Sequence, residues 1–202
     1  MTPSAPLPRP MPAFTPAMPT TRPHTLIALL QDRPGVLHRT VTLLRRRGFN
    51  IVSLAVGRSE VAGISRMTLV VDTADATQVV AQLDRLVEVI GVTDVTRERA
   101  VERETALAKV VGLRDTLTAV GAIAAEHGAQ VVDMDRESII VEIAGTPEQV
   151  ERFLAAIRPH RIAELMRTGR LAMQRGRTPL VLEAPAHYRA QADGAPAEED
   201  AA

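Results

Sequence analysis

Twice along this chain the hydrophobic period switches between strand and helix in the same order, and few folds accept that order. An apolar run over residues 24–30 reads as a buried strand, and Leu37, Val41 and Leu44 form the stripe of a helix over 34–47. Arg45, Arg46 and Arg47 fall in the last turn of that helix, where cations suit the dipole, and Gly48 suits its stop. Strands follow over 50–58 and 64–72, joined by a turn near Val61, Ala62 and Gly63. Met67, Leu69 and Val71 alternate with Arg66, Thr68 and Val70, which predicts a sheet with one covered face. Val79, Leu83, Leu86 and Ile90 mark a second helix over 75–89, and a short strand over 91–97 closes the unit. The order βαββαβ is the ferredoxin-like arrangement.

Residues 98–104 are charged and carry no apolar stripe, so a boundary is predicted there, with a linker at 100–104. The order then repeats. Residues 107–111 read as a strand, and 114–127 as a helix bearing Leu117, Val120 and Ala124. Residues 129–133 and 138–143 read as a hairpin around Met134, Asp135, Arg136 and Glu137. The next helix has a local start signal: Thr146 as N-cap, Pro147 in first position, and Gln149 where a capping box needs it. Val150, Phe153, Leu154 and Ile157 form its buried stripe, and residues 162–166 supply the last strand. The predicted class is α+β, with two tandem ferredoxin-like units over 23–99 and 105–178. Residues 1–22, interrupted by seven prolines, lack donors for regular ladders and predict a disordered arm. Residues 179–202, rich in Ala, Pro and acids, predict a disordered tail.

The composition excludes several function classes. Aromatic residues make up 2% of the chain, so its cores must be built from Val, Leu, Ile and Ala. Acidic and basic residues balance at 24 each, which gives no net field to attract nucleic acid or a membrane surface. The Arg45–Arg47 run has no interleaved aromatic residues and reads as a solvated helix end. There is no cysteine for a disulfide, a thiolate nucleophile or a thiolate metal ligand. No apolar run approaches membrane-spanning length, and the prolines interrupt any secretory leader, so a cytoplasmic location is expected. No nucleophile elbow, phosphate loop, dinucleotide fingerprint or metal-ligand spacing occurs. Asp133 and Asp135 flank a hairpin turn, and the five histidines are scattered. Independent catalysis is not expected, and neither is a metal or cofactor site in this chain.

A small-ligand site is better supported. Asp32 precedes the first helix, where its side chain can cap an unpaired backbone N–H. Pro34 fits the first helical turn, and Gly35 lets another molecule approach the backbone. A helix N-terminus there can hold a small carboxylate. For an α-amino acid, the amides near Pro34, Gly35 and Val36 supply donors to the carboxylate, and Asp32 and Asn50 supply acceptors to the ammonium. Val36, Leu37 and Ile51 supply apolar wall. The two segments are expected at the same end of the sheet.

The blocks Asp32-Arg33-Pro34-Gly35-Val36-Leu37, Arg45-Arg46-Arg47-Gly48-Phe49-Asn50-Ile51, Ser53-Leu54-Ala55-Val56-Gly57 and Ser65-Arg66-Met67-Thr68 occur in that order. Followed by Val101-Glu102-Arg103-Glu104 and a second domain, they resemble the small regulatory subunits of acetolactate synthase, whose first unit is an ACT domain. The resemblance covers residues 23–176 and implies a non-catalytic subunit that activates a thiamine-diphosphate-dependent large subunit. That partner would condense pyruvate, or pyruvate and 2-oxobutyrate, in branched-chain amino acid biosynthesis. The resemblance also implies feedback inhibition by valine, bound at an ACT–ACT homodimer interface through Asp32, Gly35 and Asn50. Thiamine diphosphate, magnesium and FAD would belong to the large subunit. Some members of the family carry Asn at the position of Asp32, and a carboxylate there changes the charge that meets the ligand. A free-standing ACT-domain amino-acid sensor would share the first unit, but the Val101–Glu104 block and the second unit argue against it.

Overall fold

The computed structural model describes residues 21–96 and 100–177. The predicted arm up to residue 20, residues 97–99 and the predicted tail over 179–202 lie outside the described residues. The first unit runs β1 (Arg22–Gln31), α1 (Val36–Arg46), β2 (Asn50–Arg58), β3 (Ile64–Thr73), α2 (Ala76–Leu83) and β4 (Val89–Asp94). Its strands form an antiparallel sheet in the order β2-β3-β1-β4, the ferredoxin-like arrangement read from the sequence. Leu26, Ala28 and Leu30 of β1 and Met67, Leu69 and Val71 of β3 pack against Val36 and Leu44 of α1 and Val79 and Leu83 of α2.

Three local readings of this unit change. The buried face of α1 is Val36, Thr40 and Leu44, and Leu37 is 42% exposed. Thr40 keeps its place in the core because its hydroxyl donates to the Val36 carbonyl at 3.0 Å. Helix α2 ends at Leu83, well short of residue 89. Bonds from the Leu86 amide to the Leu83 carbonyl and from the Val89 amide to the Leu86 carbonyl, each 3.0 Å, wind the chain directly into β4, which holds Ile90. The sheet is covered on both faces: Ile27 and Leu29 of β1 point away from the helices, into a cluster with Val61, Ile64, Val95 and Ala172.

Ala172 belongs to the second unit. That unit comprises β5 (Ala100–Val111), α3 (Arg114–His127), β6 (Gln130–Met134), β7 (Ser138–Gly145), α4 (Pro147–Ile157), β8 (Ile162–Arg167) and β9 (Leu171–Gln174). Its sheet follows the order β6-β7-β5-β8, with β9 also paired to β5. Residues 100–104, read as a linker, are instead the first part of β5, where Ala100 to Arg103 pair with Gln174 to Leu171. The charges that suggested a linker have distant partners: Glu102 meets Thr25 and Arg170, and Glu104 meets Arg167. Strand β9 has no counterpart in the sequence reading. Helices α3 and α4 match it closely, burying Leu117, Val120 and Ala124, and Val150, Phe153, Leu154 and Ile157.

Both ends of the helices obey local chemistry. At the end of α1, the Gly48 amide bonds to the Arg45 carbonyl and the Phe49 amide to the Leu44 carbonyl, with Gly48 at φ 75°. This paired closure satisfies two carbonyls that the helix leaves without partners. At the start of α4, the Gln149 amide donates to Thr146 Oγ1 at 3.3 Å and Gln149 Oε1 accepts from the Thr146 amide at 2.7 Å. Replacing Thr146 with Ala removes one half of this reciprocal cap, and a loss of about 1 kcal/mol is expected. The midpoint of urea unfolding measures it, with an unchanged slope.

Candidate functional site

The loop from β1 into α1 is a tight turn rather than a helix start. The Val36 amide donates to the Arg33 carbonyl at 3.3 Å, and Gly35 has φ 85° and ψ −10°. These are the angles of the third residue of a type II turn, which takes Pro before Gly. Pro34 therefore serves this turn and lies outside α1. The helix cap is Gly35, whose carbonyl accepts from the Arg39 amide at 3.0 Å, and no side chain caps it. Asp32 does not take that role. Its amide donates to the Gly63 carbonyl at 2.8 Å, and its carboxylate points toward Arg58, with Oδ2 3.9 Å from Nε.

This geometry changes which amides are available. The turn occupies the Val36 amide, and Pro34 has none, whereas Leu37 and His38 lack intrahelical partners. The space over Gly35 is open, since a Cβ built there would meet only Arg39 Nη1, at 3.9 Å. Arg39 is in turn paired with Glu88 at 2.7 Å. One end of the first sheet thus presents amide donors, the Asp32 carboxylate and two arginines to solvent. Val36 itself is buried beneath them, at 3% exposure, so its side chain packs the core rather than walling an exposed pocket.

Asn50 and Ile51 lie at the opposite end. Strands β1 and β2 are both antiparallel to β3 and hence parallel to each other. Helix α1 is their crossover, so it returns the chain to the end where β1 began. The register makes this explicit: Asn50 lies opposite Asp72, which pairs with Pro23, whereas Gln31 pairs with Ile64 and Arg58 with Ser65. At the usual rise, the two ends of β2 are roughly 25 Å apart. Asn50 is exposed, and Ile51 packs partly against the helical core. Within one chain, therefore, Asp32, Pro34, Gly35 and Leu37 come together at one end of the sheet, and Asn50 and Ile51 stand at the other.

A second polar cluster joins the two units and has no precursor in the sequence reading. Arg167 grips Glu104 through both carboxylate oxygens, at 2.6 and 2.9 Å, and reaches Glu151 at 2.6 Å. The Glu104 bonds, followed by those to Glu151, raise the Arg167 guanidinium above its ordinary range although burial opposes them. Arg170 Nη1 donates to Thr25 Oγ1 at 3.1 Å and lies 3.3 Å from Glu102. The Thr25 amide donates to Thr96 Oγ1 at 2.9 Å, and Thr96 in turn bonds to Asp94. Burial pushes the Asp94 carboxyl up, but the Thr96 hydroxyl and amide and nearby His24 outweigh it and hold the group below the usual carboxylate range. The arginines at 167 and 170 carry no local signal of this role, because their partners lie 16 to 145 positions away. Among the described residues no helix is long and apolar enough to cross a membrane, and no group of three or more His, Asp or Glu side chains is placed to hold a metal ion.

Comparison with known proteins matches each unit separately. Residues 26–91 match the family model described as the AHAS small subunit-like ACT domain. Residues 103–176 match the model described as the small subunit of acetolactate synthase. The acetolactate synthase small subunit of Mycolicibacterium smegmatis is 41% identical over 155 residues, covering 76% of this chain and 91% of that one. A probable acetolactate synthase small subunit of Archaeoglobus fulgidus is 42% identical over 155 residues, covering 76% and 97%. The crystal structure of the small subunit from Thermotoga maritima superposes with a TM-score of 0.71 at 37% identity, covering 78% of this chain and 99% of that one.

The Glu104–Arg167 pair, which ties β5 to β8 within the second unit, provides a stability test. Arg167→Met leaves the buried Glu104 carboxylate without its counter-charge and is expected to cost about 3 kcal/mol. Changing both residues to Met removes the stranded charge and should restore most of that loss. Chemical denaturation of the two variants measures the difference.

Proposed function

The chain belongs to the acetolactate synthase small subunits, and from that premise we propose that it activates its catalytic large subunit and makes the complex sensitive to valine. The observation that carries the effector reading is the division of the site residues between the two ends of β2. This strand is at the edge of its sheet, with Val52 and Val56 exposed at 58% and 42%. An exposed edge strand is a template for pairing with another chain. If two copies pair antiparallel along β2 about a twofold axis, Asn50 and Ile51 of one copy come alongside Arg58 and Asp32 of the other.

In that dimer each effector site is composite. The Leu37 and His38 amides over Gly35 hold the valine carboxylate, and Asp32 accepts from its ammonium. Asn50 closes the polar contacts from the second copy, and Ile51 and Leu37 supply apolar wall. Valine shifts activity only so far as the activating and inactive states differ in affinity for it. Thiamine diphosphate, magnesium and FAD belong in this reading to the large subunit, and the complex works in the cytoplasm.

Acetolactate formation by the large subunit, alone and with this chain at rising valine, tests the proposal. A rate increase that valine reverses is the expected result; no rate change and no association between the subunits overturns it. The composite geometry makes a sharper prediction. Gly35→Asp and Asn50→Ala should each abolish or weaken valine response, and Asn50→Ala should cost about 1–3 kcal/mol of binding. Mixing the two variants regenerates one intact site per mixed dimer, so calorimetry should recover valine binding tighter than either variant shows alone. If both residues served a site within one chain, mixing would recover nothing.

A further inference from the structure

Strands β8 and β9 form one antiparallel edge along β5, broken by a bulge at Thr168, Gly169 and Arg170. The bulge is fixed within its own unit: the Thr168 amide donates to the Thr105 carbonyl at 3.0 Å, and neighbouring Arg167 is held by Glu104 and Glu151. Its tip rests on the first unit. Gly169 has φ +77°, and a Cβ there would come within 3.2 Å of both Ser53 Cβ and Ser53 Oγ. The Arg170 amide donates to Ser53 Oγ at 3.1 Å, while its guanidinium reaches Thr25 and Glu102.

Ser53 follows an irregularity in its own strand. The pairing of β2 with β3 shifts register between Ile51 and Ser53, so Val52 is left out of the ladder. A bulge is where a strand can change path without breaking its neighbours' bonds. Beside this contact lies a cavity of about 470 Å³, lined by Val52, Ser53, Leu54 and the segment from Arg167 to Arg170. The strand thus has room to shift on this side. The two irregularities, one from each unit, touch through the Ser53 hydroxyl and a glycine at which a side chain would crowd Ser53.

We propose that the contact of Ser53 with the Gly169–Arg170 bulge carries effector occupancy from the Asn50–Ile51 end of β2 to the second unit. The inference rests on the valine reading above and assigns the residues that couple the site to the rest of the subunit. A ligand that draws on Asn50 alters the path of β2 at Val52, and the next side chain is the acceptor of the Arg170 amide. Coupling between sites needs an element whose equilibrium both sites bias, and in this proposal its two arrangements are the Ser53–Arg170 bond made, as observed, or released. Ser53, Gly169 and Arg170 position this contact and do not touch the effector.

The test uses the full chain with its large subunit and reads valine binding separately from valine inhibition. Ser53→Ala removes the acceptor with little steric change, and Gly169→Ala places a methyl 3.2 Å from Ser53 at a positive φ. Both variants should bind valine no more than twofold more weakly than the wild type and still activate the large subunit. Inhibition at saturating valine, taken as the ratio of uninhibited to inhibited rate, should fall at least fivefold. Should Gly169→Ala fail to fold, Ser53→Ala carries the test alone. Unchanged inhibition in Ser53→Ala overturns the proposal. So does a loss of binding in step with inhibition, which would place Ser53 in the effector site. If the wild-type chain itself binds no valine, the underlying functional reading fails and this inference fails with it.

Discussion

Strand β1 is buried on both faces, and the rest of the molecule follows from that. One face, through Leu26, Ala28 and Leu30, receives α1 and α2; the other, through Ile27 and Leu29, must be covered by something else. An antiparallel sheet can leave its second face to water only when that face is polar, and this one is not. The cover comes from the second unit, where β9 presents Ala172 and the start of β5 presents Ala100. Each half keeps its own core, and the two meet through this small apolar cluster and the hydrogen bonds of Thr25, Glu102 and Arg170.

Small residues make that cover possible. Ala100 and Ala172 let the β5–β9 ribbon approach the first sheet closely, and Arg66 lies along it, donating to the Ala172 carbonyl at 3.2 Å. Burial lowers the Arg66 guanidinium from its ordinary value, with Glu60 partly opposing that effect. A carbonyl that accepts from a charged donor is a stronger partner than one left to water. The junction therefore combines an apolar centre with charged groups at its rim, as transient interfaces between chains do.

What could be read in the sequence was what local chemistry decides. Thr146, Pro147 and Gln149 announce α4 because all three parts of the cap lie within one turn, and Gly48 marks the end of α1 in the same local manner. Leu86 and Ile90 continue the helical period past the end of α2 by coincidence, although Ile90 is already in a strand. The Val101–Glu104 block looked like a linker because its charges find partners only in the folded chain, at Thr25, Arg167 and Arg170. Motif and family resemblance point to candidate site residues, but they do not say at which end of the sheet each one stands. A helix joining two parallel strands must bring the chain back to its starting end, so Asp32 and Asn50 were bound to be separated.

That separation has a consequence in mass action. A site completed only by a second copy exists in proportion to the dimer, so in the proposed arrangement effector binding and self-association are linked equilibria. Anything that binds the dimer alone stabilises it, and dilution weakens the apparent affinity for the effector. In that proposed arrangement, a cell that made little of this subunit would lose sensitivity as well as amount.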